Sequence, residues 1–104
     1  MGDQESVVNV SVTFKNVDAT EPIKNYAIEK MTHCLKKFSH RDTEVHVVLK
    51  VEKNRQIAEV SFRNNGAHFS CKEESGDLYA SIDALIETLS KQLRKHKEKI
   101  SSHH

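Results

Sequence analysis

Between Val8 and Ile100 the spacing of apolar side chains changes three times, and that succession of periods dictates the order of elements. Val8, Val10 and Val12 alternate with Asn9 and Ser11, the period of a strand with one buried face. From Ile23 the period becomes helical: Ile23, Ala27, Met31, Cys34 and Phe38 share one face, with Leu35 and Ile28 on its flank. Thr20 is a good N-cap, Glu21 suits the positive end of the dipole, and Pro22 falls in the first turn, where no N–H is needed. These signals predict a helix from Glu21 to Phe38.

Polar Ser39, His40, Arg41 and Asp42 then connect to a second alternating run, Val45, Val47, Leu49 and Val51. A turn near Lys53 to Arg55 leads to Ala58, Val60 and Phe62, again at period two, and Asn64-Asn65-Gly66 is a strong hairpin signal. The strand after it turns Phe69 and Cys71 inward and His68, Ser70 and Lys72 outward, which makes three successive strands an antiparallel meander. Ser75, Gly76 and Asp77 break the pattern and offer a second cap. Leu78, Ile82, Leu85, Leu89, Leu93, His96 and Ile100 follow at helical spacing, enough for roughly six turns. The expected class is therefore α+β, ordered β-α-β-β-β-α, with a four-stranded sheet and two helices packed on one of its faces. Residues 1–7 read as a flexible leader, 8–100 as a single domain and 101–104 as a short tail.

Composition narrows the function mainly by exclusion. Sixteen Lys and Arg against fifteen Asp and Glu leave a net charge of +1, so any nucleic-acid surface must come from segregation of charge rather than its total. The N-terminus lacks the basic start and apolar run of a signal peptide, and no segment is apolar enough to span a membrane. Cys34 and Cys71 read as reduced core thiols. The histidines are too scattered to suggest a metal site, and neither a phosphate loop nor a nucleophile elbow nor an isolated carboxylate pair suggests a catalyst or a cofactor. Neither an enzyme nor a small-molecule substrate is expected.

The helices carry their charges in stripes. On the first, Tyr26, Lys30, His33 and Lys37 lie beside the apolar face, and Lys24 lies on the opposite flank. On the second, an acid-free flank holds Ser81, Ala84, Thr88, Lys91, Gln92, Lys95 and Lys99, with Ser81 and Ala84 small enough to admit a close backbone. If the helices lie side by side, the stripes line a common groove suited to phosphates. The alternative is that these lysines are a solvated face that offsets the helix dipole, with Tyr26 and Tyr79 as amphipathic boundary residues.

The segment VHVVLKVEK at 45–53, and more specifically GDLYASIDALIETLSKQLRKHKEKI at 76–100, resembles the ribosome hibernation promoting factor family. NVSVTFKNVDATEPIKNYAIEK, the first strand and helix, resembles it more loosely, and together the segments cover about residues 8–100. The resemblance implies a fold like that of double-stranded RNA-binding domains and a cytoplasmic stress-response factor of stationary phase. It implies binding to the small ribosomal subunit and its 16S rRNA at the decoding centre, where the chain excludes mRNA and tRNA from the A and P sites. The rRNA-binding positions it implies are Lys24, Lys30, His33, Lys37, Lys91, Gln92, Lys95 and Lys99. His33 and Thr88 stand where relatives carry lysine, which predicts weaker phosphate contact. The short length is similar to that of members without a dimerisation domain, which promote inactive ribosome dimers together with ribosome modulation factor. Other readings within reach are a factor that stabilises single inactive ribosomes, a transcription-modulating interaction module and a general binder of duplex RNA.

Overall fold

The structure, a computed structural model, describes residues 7–38, 42–64 and 66–101, with the side chains of 64 and 97–101 outside that description. The expected leader up to residue 6, the tail from 102 and the connection at 39–41 therefore fall outside the described residues. The element order is β1 (Val8–Lys15), α1 (Glu21–Phe38), β2 (Thr43–Glu52), β3 (Arg55–Asn64), β4 (Ala67–Ser75) and α2 (Leu78–Ser101). This is the order that the changes of period predict.

The four strands form one sheet in the order β1-β2-β3-β4. β1 and β2 run parallel, with Val10 beside Val45 and Val12 beside Val47, so α1 serves as the crossover that a parallel pair requires. β2, β3 and β4 form the expected antiparallel meander. Asn64 pairs with Ala67, and Gly66 closes that turn at φ +80°, a conformation that costs glycine little.

Alternation builds the core from one sheet face. Val45, Val47, Leu49, Val60 and Phe62 are buried there against Met31 and Leu35 of α1 and Ile82, Leu85 and Leu89 of α2. β1 is an edge strand, and its inward valines stay half-exposed. Leu35 corrects the helical wheel, which places it on the flank: it is 0% exposed, whereas Ile28 is only half-buried. The apolar arc of α1 is wider than a single stripe because the helix must cover both β1 and its neighbour α2. Ile57, which the alternation of β3 turns to the opposite sheet face, is buried too. It lies in register between Lys50 and Glu74, each held in an ion pair, Lys50–Glu59 at 2.9 Å and Arg55–Glu74 at 2.5 Å.

Asp77 is the N-cap of α2: its carboxylate accepts the Ala80 N–H at 3.0 Å and its carbonyl accepts the Ser81 N–H at 3.0 Å. Ser81 corrects a second expectation, because it is fully buried and offers no open approach to a ligand backbone. Its hydroxyl donates to the Gln56 carbonyl at 2.6 Å and lies 2.8 Å from the Ser75 hydroxyl, tying α2 to the ends of β3 and β4. Ser81→Ala removes the hydroxyl that donates to that part-buried carbonyl. The expected cost is about 1–3 kcal/mol, read as a lower urea midpoint at unchanged slope.

Candidate nucleic-acid interface

The direction of the helices decides which charges meet. Tyr26 of α1 donates to Asp83 of α2 at 2.5 Å and packs edge-on against Tyr79, with ring centroids 5.0 Å apart. Further along both helices, Cys34 Sγ lies 3.2 Å from Ser90 Oγ. Contacts that advance together in sequence mean that α1 and α2 run parallel, with their C-terminal halves side by side.

That arrangement corrects the expected groove. The flank of α2 that meets α1 carries Tyr79, Asp83 and Ser90, so the seam opposite the Lys30 stripe is not lined by the acid-free flank. The acid-free flank turns toward the sheet instead, where Thr88 donates to Glu73 of β4 at 2.8 Å and Ser81 donates to Gln56 of β3. The physical reason is that α2 settles with its leucines on β3 and β4. This rotation leaves Thr88 against the edge strand and Lys91 facing outward. Thr88 is thus a link between helix and sheet.

Charge is segregated along the helices rather than around them. In residues 21–29 and 78–87 the acids Glu21, Glu29, Asp83 and Glu87 stand with Lys24 as the one base. In residues 30–38 and 88–96 no acid occurs, and Lys30, Lys36, Lys37, Lys91, Arg94 and Lys95 are all present. Among the described residues none of these cations is held in an ion pair. The dipole alone does not explain them, since its effect fades within the last turn, and Lys91, Arg94 and Lys95 lie well before the end of α2. Parallel packing brings the two basic halves to one end of the molecule.

The residues implied by the sequence distribute unevenly over this end. Lys30 extends over the Tyr26 ring, 5.4 Å from its centroid, and His33, Lys37, Lys91, Gln92 and Lys95 are exposed. Lys24 is exposed near the other end of α1, on the flank away from α2, and the Lys99 side chain lies outside the described residues. Lys36 and Arg94 are exposed within the same basic stretches, and both lie outside the two stripes. The signal that finds them is the position of each acid along the helix, read together with helices that run parallel.

Tyr26 marks the boundary between the halves. Its hydrogen bond to the Asp83 carboxylate holds the phenol above its usual range, with partial desolvation and the nearby negative charge adding to the effect. Because the folded value is raised, the contribution of this bond is present below about pH 10 and is lost as pH rises through the raised value. Asp83→Asn removes the charged acceptor. An absorbance titration of the tyrosines is then expected to show Tyr26 ionising at lower pH than in the parent protein. No group of residues suited to a metal ion occurs among the described residues, and no described helix is long and apolar enough to cross a membrane.

Residues 10–101 match the family model described as sigma 54 modulation protein / S30EA ribosomal protein. A ribosome hibernation promoting factor from Klebsiella oxytoca is 38% identical over 96 residues, which are 92% of this chain and all of the relative. One from Pseudomonas putida is 37% identical over 95 residues, 91% of this chain and 92% of the relative. The N-terminal domain of Protein Y from Thermus thermophilus superposes with a TM-score of 0.76 at 24% identity, over 85% of this chain and 98% of that one. A ribosomal subunit interface protein from Coxiella burnetii gives 0.69 at 22%, over 83% and 96%. The two structures share the fold described above.

Proposed function

Because the chain belongs to the sigma 54 modulation protein / S30EA ribosomal protein family, whose members include ribosome hibernation promoting factors, we propose that it silences idle ribosomes by occupying the decoding centre of the small subunit. The observation that carries this reading is the pair of acid-free helix stretches, residues 30–38 and 88–96, set side by side by parallel packing. Lysine and arginine held in no ion pair among the described residues, on two adjacent helices, give an array of positive charge suited to the phosphates of 16S rRNA. Binding by such an array positions the protein without reading base sequence. Specificity then comes from the shape of the rRNA around it.

Occupancy is the mechanism. A protein seated where mRNA and the A- and P-site tRNAs bind inhibits translation by exclusion, with no catalytic step and no cofactor. The action is cytoplasmic, where ribosomes work. Stabilised inactive ribosomes then pair in the presence of ribosome modulation factor, the further consequence of this reading.

Competition sedimentation tests it. Small subunits saturated with the protein are expected to lose the ability to take up mRNA and P-site tRNA, and excess tRNA with mRNA is expected to displace the protein. Simultaneous binding of protein and tRNA at full occupancy would overturn the decoding-centre reading. Log affinity is also expected to fall with log salt by about 0.7–0.9 for each phosphate neutralised, which distinguishes phosphate binding from an apolar protein contact.

A further inference from the structure

The helices cover one face of the sheet, and the charges on the other face are not evenly matched. Toward the β2–β3 turn, Glu59 and Glu52 are both within ion-pair distance of Lys50, and Glu74 is bound by Arg55, so each of these acids is held in an ion pair. Toward the β3–β4 turn, Arg63 and His68 sit in register, and neither they nor Glu44 is held in an ion pair among the described residues. His46 pairs with Ser61, and Ser61 pairs with Ser70, which forms a row of small hydroxyls beside two imidazoles. Ser11 Oγ lies 2.9 Å from His46 Nδ1 and fixes the ring, leaving Nε2 for another partner.

Two open depressions of about 340 Å³ each occupy this half of the face and share His46 and Ser61. Their linings also hold Arg63, His68, Ser70 and Lys72, with Glu44 an acid at one edge and Glu59, bound to Lys50, at the other. Guanidinium, imidazole N–H and hydroxyl groups are all donors to phosphate oxygens, and the strand pairing holds them in a rigid layer. The position matters as well. Phe69 meets the His96 ring of α2 at 5.3 Å on the covered face, while its neighbour His68 points to the open one. The patch is therefore the reverse side of the same end of the molecule that carries the basic helix halves.

We propose that this patch, centred on Arg63, His46 and His68, is a second RNA-binding surface that grips a phosphate backbone segment distinct from the one under the helices. The inference rests on the ribosomal RNA reading of the helices and extends it. The protein becomes a wedge between two RNA segments, and each face contributes its own phosphate contacts.

Two double variants test it on the full chain: Arg63→Glu with His68→Glu, and Arg63→Gln with His68→Gln. All four changes replace exposed side chains, and the milder glutamine pair keeps the test open if the glutamate pair loses stability. Binding to purified small subunits is measured across a potassium chloride series, beside the helix variant Lys91→Glu/Arg94→Glu/Lys95→Glu. The glutamate pair is expected to bind at least about 10-fold more weakly and to lower the salt slope by about 1–2, with the glutamine pair intermediate. Parental affinity and slope in both pairs would overturn the proposal, and the helix reading stands if the helix variant fails at the same time. Weakening by the sheet pairs with a normal helix variant would support this surface and reject the helix reading. Weakening without change of slope would put a protein rather than RNA phosphate against the face and overturn the proposal.

Discussion

Lys91→Glu/Arg94→Glu/Lys95→Glu is expected to abolish co-sedimentation with small subunits at physiological salt while leaving the thermal midpoint within a few degrees of the parent. The three side chains are exposed and lie off the leucine face of α2, so their replacement costs the core nothing. Their loss removes three cations from an unpaired array and adds three like charges facing phosphate. An affinity loss of at least about 100-fold follows, with the salt slope reduced by about 3. The comparison with Lys24→Glu is informative, because Lys24 lies at the other end of α1 on the flank away from α2. It is expected to weaken binding by less than about 3-fold, consistent with a charge outside the contact.

Leu35→Ala is expected to lower stability by about 2–5 kcal/mol, which for a domain of this size lowers the thermal midpoint by roughly 10–20 °C. Leu35 is 0% exposed and packs in the core cluster with Met31 and Cys34, so truncation leaves a cavity that a rigid sheet cannot close. Ile28, half-buried on the same helix, is expected to cost less than half as much when changed to alanine. A helical wheel puts both residues on the flank of the apolar face, and thermal melts of the two variants separate that view from the packing seen in the structure.

Most of the fold was legible because each element carries its own local signal. Period-two valines mark β1 and β2, Pro22 and Thr20 open α1, and Asp77 caps α2, all through interactions within a few residues. What could not be read was the rotation and relative direction of the helices, because these depend on contacts far apart in sequence, such as Tyr26 with Asp83 and Thr88 with Glu73. The misplaced residues all follow from that gap. Ser81 looked like an open small residue and is buried under a strand end, Leu35 looked peripheral and is central, and the acid-free flank of α2 faces β4 rather than α1. The charges themselves were visible in the sequence. Only the parallel packing shows that Lys36 and Arg94 join Lys30, Lys37, Lys91 and Lys95 at one end.

The same geometry gives a chain of net charge +1 a surface suited to the RNA binding proposed above. The stretches 30–38 and 88–96 hold bases and no acid, so a nearly neutral protein presents a locally basic surface. The Tyr26–Asp83 bond sits where the two regimes meet and occupies an acid that otherwise faces the basic end.

A density map of the protein bound to the small ribosomal subunit tests occupancy of the decoding centre. Residues 30–38 and 88–96 are expected to lie within hydrogen-bonding distance of 16S rRNA phosphates in the decoding region, in the volume that mRNA and tRNA otherwise fill. Density for the protein elsewhere on the subunit, or with both helices turned to solvent, would contradict it.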